Sequence, residues 1–276
     1  MTLQTERADG GTGKMRILLT GSNGYIGRHL ESLLTINYGA DSVEPFDVYG
    51  GRDEWELEIS RKMHSLYDVI IHAGAIRMPE YEKPDIFWWN YHCSKVIADF
   101  VSSVRPEPKL IFFSTCMAIN PVSHYGWSKR CAADYIMQTL DNYCIVRPYT
   151  VYGREEGVLN KYSPVWRLVR GELPYCFNPW IRDYIHVQDL CAGIVHIIEK
   201  DLRGDYDLGR GIGTSTMELV ELWDRYRPPI VVPSDEGWPH NAPEALVARP
   251  EKMLPDFEYP HDVITWLTKL KATTLG

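Results

Sequence analysis

Residues 16–27 read Arg-Ile-Leu-Leu-Thr-Gly-Ser-Asn-Gly-Tyr-Ile-Gly, and this stretch decides the fold. Arg16–Thr20 is a short apolar run, and amphipathic sequence follows from Tyr25. A strand, a glycine-rich turn and a helix together open a βαβ unit. In such a turn Gly21 permits the tight bend, Gly24 lets backbone approach a pyrophosphate, and Gly27 lets the helix pack close to the strand. The helix N-terminus adds free N–H groups and the positive end of its dipole. Asp47 follows Gly27 by twenty residues, near the end of the next predicted strand. An acid there accepts hydrogen bonds from an adenosine ribose and repels a 2′-phosphate. The pattern predicts a dinucleotide site that favours NAD over NADP, with Arg52 the feature that pulls the other way.

Outward from this unit, short apolar runs alternate with amphipathic stretches, as in a parallel sheet covered by helices. Strands are predicted at Arg16–Thr20, Ser42–Phe46, Asp68–His72, Lys109–Ser114 and Tyr143–Arg147. Helices are predicted at Tyr25–Thr35, Ser94–Val104, Trp127–Leu140 and Val187–Lys200. After Tyr152 prolines and aromatics become frequent, which suits a loop-rich, smaller lobe. The expected fold is α/β, a Rossmann-type doubly wound parallel sheet with a smaller C-terminal substrate-binding lobe. Residues 1–13 read as a flexible tail, with Met15 an alternative start. The dinucleotide domain is expected over 14–152 with 183–208 returning to it, and the lobe over 153–182 and 209–276.

At 276 residues, 45% hydrophobic and 24% charged, the chain has the composition of an ordinary globular protein. Its net charge of −8 argues against a general nucleic-acid binder, which needs a basic face. No apolar run approaches the ~20 residues of a membrane span, and the polar, glycine-rich start does not read as a secretion signal. Six scattered cysteines without a Cys-x-x-Cys pair point to reduced thiols in a cytoplasm and to no metal site.

The second motif is Tyr125-Gly126-Trp127-Ser128-Lys129, preceded by Ser114-Thr115 at the end of a predicted strand. Helical positions i and i+4 share a face, so the Tyr125 hydroxyl and the Lys129 ammonium project into one site. A phenol titrates near ~10 unperturbed, and an adjacent cation lowers that value toward use as an acid or base. Thr115 can hold a substrate oxygen. The plain alternative is a surface Tyr/Lys pair.

Taken together, the glycine turn and Thr115, Tyr125 and Lys129 resemble the glycine motif and Ser/Thr–Tyr–Lys triad of extended short-chain dehydrogenases, the nucleotide-sugar epimerase and dehydratase group. Further segments agree in order over residues 15–260. Asp68–Ala75, with His72, Ala73 and Gly74, is similar to the strand motif flanking the cofactor. Asn90 resembles the asparagine that supports the active site. Arg147–Gly153, with Pro148 and Thr150, resembles the segment touching nicotinamide and substrate. Arg182–Asp189 is close to the group's RDYIHVxD signature, whose arginine often meets the nucleotide diphosphate. The resemblance implies cofactor contacts at Gly21, Asn23, Gly24, Tyr25, Ile26, Gly27, Asp47, His72, Ala73, Gly74, Asn90, Tyr125, Lys129 and Pro148. It implies substrate contacts at Cys116, Thr150 and Arg182, and a homodimer built on the helices at Ser94–Val104 and Trp127–Leu140.

The chain also departs from the group. Only nine residues separate Thr115 from Tyr125, where about twenty or more are usual. Thr150 replaces a common asparagine, Gly171–Ile181 is short, and no RPGD-like segment stands near Trp238–Pro243. His72 and His186 read as packing residues and Trp88-Trp89 as core. His124 is open between packing and the site, and Cys116 between a bystander thiol and a substrate contact. The expected activity is NAD-dependent nucleotide-sugar 4-epimerisation. The alternatives are an NAD(P)H-dependent keto-sugar reductase and a non-catalytic dinucleotide sensor.

Overall fold

The computed structural model describes residues 5–6, 12–47, 51–63, 66–76, 85–154, 163–173, 175–178, 180–223, 230–233 and 243–273. The expected absence of an RPGD-like segment near Trp238 lies outside them, as does most of the expected tail. Within that tail Thr5–Glu6 pairs antiparallel with Thr12–Gly13. The chain divides into two compact units, 1–146 with 197–204, and 147–196 with 205–276.

In the first unit the apolar runs become β1 (Ile17–Thr20), β2 (Val43–Phe46), β3 (Val69–His72), β4 (Lys109–Phe113) and β5 (Tyr143–Pro148). Every residue of β1, β3 and β4 is buried. Strands covered on both faces show such continuous apolar runs. The order β5-β4-β3-β1-β2 places β1 between β3 and the edge strand β2, and each of these ladders is parallel. Helices α1 (Tyr25–Tyr38), α2 (Arg52–Lys62), α3 (Cys93–Ser103) and α4 (His124–Thr139) connect them. One core cluster joins Leu18, Ile70, Leu110, Phe112 and Ile145 of the sheet to Ile97, Val101, Ala132, Ala133 and Ile136 of α3 and α4.

Helix α2 is absent from the sequence prediction. Its sequence, RDEWELEISRK, buries only Trp55 and Ile59, one turn apart. Helix α4 starts three residues earlier than predicted because Ser123 caps it, its side chain accepting the Gly126 N–H at 3.1 Å. Such a cap is worth about 1 kcal/mol.

Beyond Tyr152, where the prolines predict loops, the described residues form much regular structure. The strands are β6 (Thr150–Tyr152), β7 (Tyr175–Asn178), β8 (Ile181–His186), β9 (Gly204–Leu208), β10 (Gly213–Ser215), β11 (Ile230–Pro233) and β12 (Ala245–Leu246). The helices are α5 (Pro164–Val169), α6 (Val187–Glu199), α7 (Thr216–Trp223) and α8 (Val263–Thr273). Strand β9 lies beside β5 and completes a six-stranded parallel sheet. Strand β8 pairs with β6, β10 and β12, while β7 pairs with β11. Tyr152, Val165, Leu168, Tyr184, Leu219, Trp223, Val263 and Leu267 form the core of the second unit. Among the described residues no helix is long and apolar enough to cross a membrane.

Candidate active site

Strand β1 ends in the glycine turn. Gly21 has φ +76°, a conformation side chains disfavour, and a Cβ there would lie 2.5 Å from the Gly74 nitrogen. The turn is thus pressed against the backbone following β3, and Gly21 N–H donates to the Phe46 carbonyl at 3.0 Å. A Cβ on Gly27 would stand 2.0 Å from the Gly21 oxygen, so α1 packs directly on the turn. Gly24, the N-cap of α1, brings no side chain to the helix end, and Tyr25 and Ile26 open the helix behind it. Asp47, exposed just beyond β2, accepts the Asn23 N–H at 3.0 Å. Arg52 pairs with Asp85 and lies 5.1 Å from the Trp88 ring.

After β3, the Ala73 N–H donates to the Thr20 carbonyl at 3.1 Å, and Gly74 backs Gly21. The His72 ring is buried. Its nitrogens meet Thr20 Oγ1 at 2.6 Å and Ser94 Oγ at 3.0 Å. Burial and the neighbouring Lys129 ammonium push its pKa down to about 3. Asn90 lies in a π-helical turn, Trp88–His92, that leads into α3. Such turns often mark functional sites. Its Nδ2 donates to the Ile76 carbonyl at 3.0 Å and to Ser128 Oγ at 3.1 Å, while its Oδ1 accepts the Ile76 N–H at 2.8 Å. Trp88 meets Trp55 and Trp89 edge to face and packs on the core, as its core reading requires.

Thr115 follows β4 and caps a 3₁₀ turn, Cys116–Ala118, its Oγ1 accepting the Met117 N–H at 3.3 Å. Helix α4 packs closely on that turn, since a Cβ on Gly126 would come within 2.7 Å of the Met117 carbonyl. This contact draws Thr115 and Tyr125 into one neighbourhood across the nine-residue connection. Tyr125 is 8% exposed and Lys129 1%, which removes the surface-pair reading. Lys129 Nζ sits 4.5 Å from the Phe112 ring centroid and has no hydrogen-bond partner among the described residues. Burial pushes its pKa down to about 7. Cys116 is buried, as are Cys93, Cys144 and Cys191; Cys131 is half-buried. Among the described residues no group of three His, Cys, Asp or Glu could hold a metal.

In the second unit, the segment holding Pro148 and Thr150 is anchored by Asp207, a fully buried carboxylate that went unnoticed in the sequence. Asp207 accepts from Arg147 Nε at 2.6 Å, Tyr149 Oη at 3.1 Å and Arg249 Nε at 2.7 Å. Burial opposes its ionisation, yet the hydrogen bonds from Arg249 and Arg147 hold its carboxyl below the usual range. Arg182 is buried. Its Nη1 donates to the carbonyls of Ile181 at 2.7 Å and Glu244 at 3.0 Å, and its guanidinium covers the Trp180 ring. Asp183, also fully buried, accepts the N–H groups of Arg210, Gly211 and Ala248. His186 packs, as read, against Tyr152 and His261. Alternating acidic residues in Asp205-Tyr206-Asp207 were the available signal for the missed anchor.

A dinucleotide fits what the first unit presents. Gly21 and Gly27 have no room for a Cβ, the helix N-terminus carries no capping side chain, and among the described residues the buried Lys129 ammonium lacks an acceptor.

A parallel sheet with this turn after β1 and a buried Tyr-x-x-x-Lys helix after β4 defines a dinucleotide-binding enzyme fold of the extended short-chain dehydrogenase/reductase kind. The chain belongs to the NAD dependent epimerase/dehydratase family, whose model matches residues 17–209. It is 24% identical over 238 residues to GDP-6-deoxy-D-talose 4-dehydrogenase of Aggregatibacter actinomycetemcomitans, covering 75% of this chain and 79% of the relative. The fold resembles UDP-glucose 4-epimerase of Thermus thermophilus, solved with NAD (TM-score 0.72, 21% identity, 95% and 99% of the two chains). It also resembles dTDP-4-dehydrorhamnose reductase of Bacillus anthracis str. Ames, solved with NADP (TM-score 0.70, 21% identity, 86% and 91%).

Proposed function

We propose that this chain is an NAD-dependent nucleotide-sugar 4-epimerase. The observation that carries the reading is the buried Tyr125/Lys129 pair on α4, with an ammonium that lacks an acceptor among the described residues, in the same unit as the glycine turn. Gly21–Gly27 would hold the pyrophosphate and Asp47 the adenosine ribose. Ala73, Gly74, Asn90, Lys129 and Pro148 would surround the other end, with His72 behind them. NAD, when bound, supplies reversible two-electron oxidation at the sugar C4. Tyr125 takes the proton from the 4-hydroxyl and returns it after the keto-sugar has turned over, and the Lys129 charge favours the phenolate. Thr115 Oγ1 accepts from Met117 N–H, which leaves its own O–H to hold the substrate oxygen. Cys116, Thr150 and Arg182 are assigned to the substrate side, and the second unit to the substrate lobe. A homodimer through α3 and α4 is proposed as well, supported by Trp127, half exposed on α4.

A keto-sugar reductase, which uses Tyr125 once and consumes NAD(P)H, is the second reading. The likeness to a 4-dehydrogenase keeps it in view. Incubation with NAD and a panel of UDP-, GDP-, CDP- and dTDP-sugars, followed by NMR, separates the two. Dehydration is disfavoured, because it needs a base for the C5 proton and an acid for the departing hydroxide. Thr115 is followed by Cys116 and Met117, and no carboxylate occurs before Tyr125. The product is expected to keep every atom of its substrate or to gain two hydrogens. A product about eighteen mass units lighter, the mass of the water that dehydration expels, would overturn this.

NAD(H) is expected to bind more tightly than NADP(H). Asp47 is held beside the turn through Asn23, while Arg52 is engaged by Asp85 and Trp88. Fluorescence titration of both cofactors decides it, and tighter NADP(H) binding would show that a basic group governs the pocket.

A further inference from the structure

Beneath the glycine turn and the catalytic helix runs a chain of buried hydrogen bonds whose donors can be assigned by counting protons. Ser94 Oγ lies 2.7 Å from the Asn90 carbonyl, which can only accept, so the single hydroxyl proton of Ser94 is spent there. The same Oγ is 3.0 Å from His72 Nε2 and must accept from it, so Nε2 carries the hydrogen. The other ring nitrogen, Nδ1, then accepts from Thr20 Oγ1 at 2.6 Å. Past the Asn90 backbone, its side chain closes on Ile76 from both directions and donates to Ser128 Oγ. Ser128 Oγ in turn donates to the Tyr125 carbonyl at 2.9 Å. Thr20 immediately precedes Gly21, Ile76 ends the described stretch after β3, and Tyr125 stands in the first turn of α4. The Asn90 side chain thus clamps the stretch after β3 to the first turn of α4, and a single imidazole ties the start of the glycine turn to that clamp.

We propose that His72 is a positioning residue, a neutral Nε2–H imidazole that locks the start of the glycine turn to the Asn90 clamp under the catalytic helix. Both ring nitrogens are spent on Thr20 and Ser94, so His72 acts on a bound dinucleotide through the backbone it holds. A second proton would reverse the Thr20 contact and set another buried cation beside Lys129. Burial and that ammonium keep the ring uncharged at working pH. The inference rests on reading this unit as the dinucleotide site.

Two substitutions and one spectrum test it. His72→Leu removes both hydrogen bonds and leaves the Thr20 and Ser94 hydroxyls short of partners. His72→Gln offers an amide N–H to Ser94 and a carbonyl to Thr20. Titration with NADH, followed by fluorescence, should show binding weakened roughly tenfold in His72→Leu and largely restored in His72→Gln. Wild-type NADH affinity in His72→Leu, with only a lowered Tm, would overturn the proposal by showing a merely structural role. Should His72→Leu fail to fold, ¹⁵N NMR of the histidine-labelled wild-type protein decides. The neutral Nε2–H tautomer is expected between about pH 6 and 8, below which a free imidazole would already be charging. An Nδ1–H tautomer or an imidazolium in that range would refute the assignment. If the wild-type protein binds no NADH, the dinucleotide reading falls, and the NMR tautomer still decides the network by itself.

Discussion

Tyr125→Phe is expected to lower turnover by roughly 10²–10⁴-fold while leaving NAD affinity near that of the wild type, since a positioned acid/base contributes about that much. Removing only the phenolic oxygen leaves the ring to fill its buried place in the first turn of α4. The cap runs from the Gly126 N–H to Ser123 Oγ and the other bond from Ser128 Oγ to the Tyr125 carbonyl, so neither uses the phenol and both survive the change. Steady-state rates with whichever sugar nucleotide the NMR panel identifies, alongside NADH titration, measure both quantities. Turnover close to wild type would remove Tyr125 from the mechanism. A parallel loss of cofactor affinity would mean that the hydroxyl binds rather than transfers protons.

Gly27→Ala is expected to be the most damaging single-methyl change in the first unit. Its Cβ would overlap the Gly21 carbonyl at 2.0 Å and approach Ser22 backbone at 2.8 Å, and backbone cannot rotate away as a side chain would. Overpacking in cores costs about 1–3 kcal/mol, and a clash with a turn already fixed by Phe46 and Gly74 belongs at or above the top of that range. At about 2–4 °C per kcal/mol for a domain of this size, Tm should fall by roughly 6–12 °C or more. NADH binding should weaken at least tenfold, because the turn itself must move. Gly24→Ala is the control. Its Cβ meets only the Gly21 oxygen, at 3.3 Å, so Tm should hardly change while cofactor affinity drops. A Gly27→Ala protein with wild-type Tm would show that α1 shifts freely against the turn.

Why some of this was legible in the sequence and some was not is a matter of what each element buries. Strands β1 to β5 fall within a residue or two of their predicted bounds; β1, β3 and β4 do so as buried, largely apolar runs, whereas β2 (Val-Glu-Pro-Phe) buries only its two ends. Helix α2 escaped because two buried residues among eleven do not make a stripe. The π turn at Trp88–His92 is invisible to any such pattern, since it differs from α-helix in hydrogen-bond register and not in composition. Asn90 was singled out by resemblance, but its partners Ile76 and Ser128 come from distant parts of the chain, where spacing carries no message. Among the described residues beyond Tyr152, Pro164 stands at the first position of α5 and Pro233 at the end of β11, so a proline there marks an element's edge and not a loop. The anchors Asp183 and Asp207 look like ordinary polar residues until the fold encloses them.

If the proposed ligand hydrogen-bonds to the buried Lys129, its binding is expected to consume a proton. Burial lowers the Lys129 pKa to about 7, so this side chain exchanges its proton near neutrality, where an exposed lysine stays charged. A hydroxyl or carbonyl that accepts a hydrogen bond from it restores the charge, so the complex draws a proton from solution. Affinity for such a ligand should weaken as pH climbs above about 7. Calorimetric heats at about pH 8 should scale with the ionisation enthalpy of the buffer, with close to one proton taken up per site. Heats identical in phosphate and Tris would show that Lys129 keeps one protonation state throughout. In the protein alone the same lysine sets an opposite trend. Its folded pKa lies below the ordinary 10.5, so the unfolded chain holds more protons between pH 7 and 10.5, and stability rises with pH across that window.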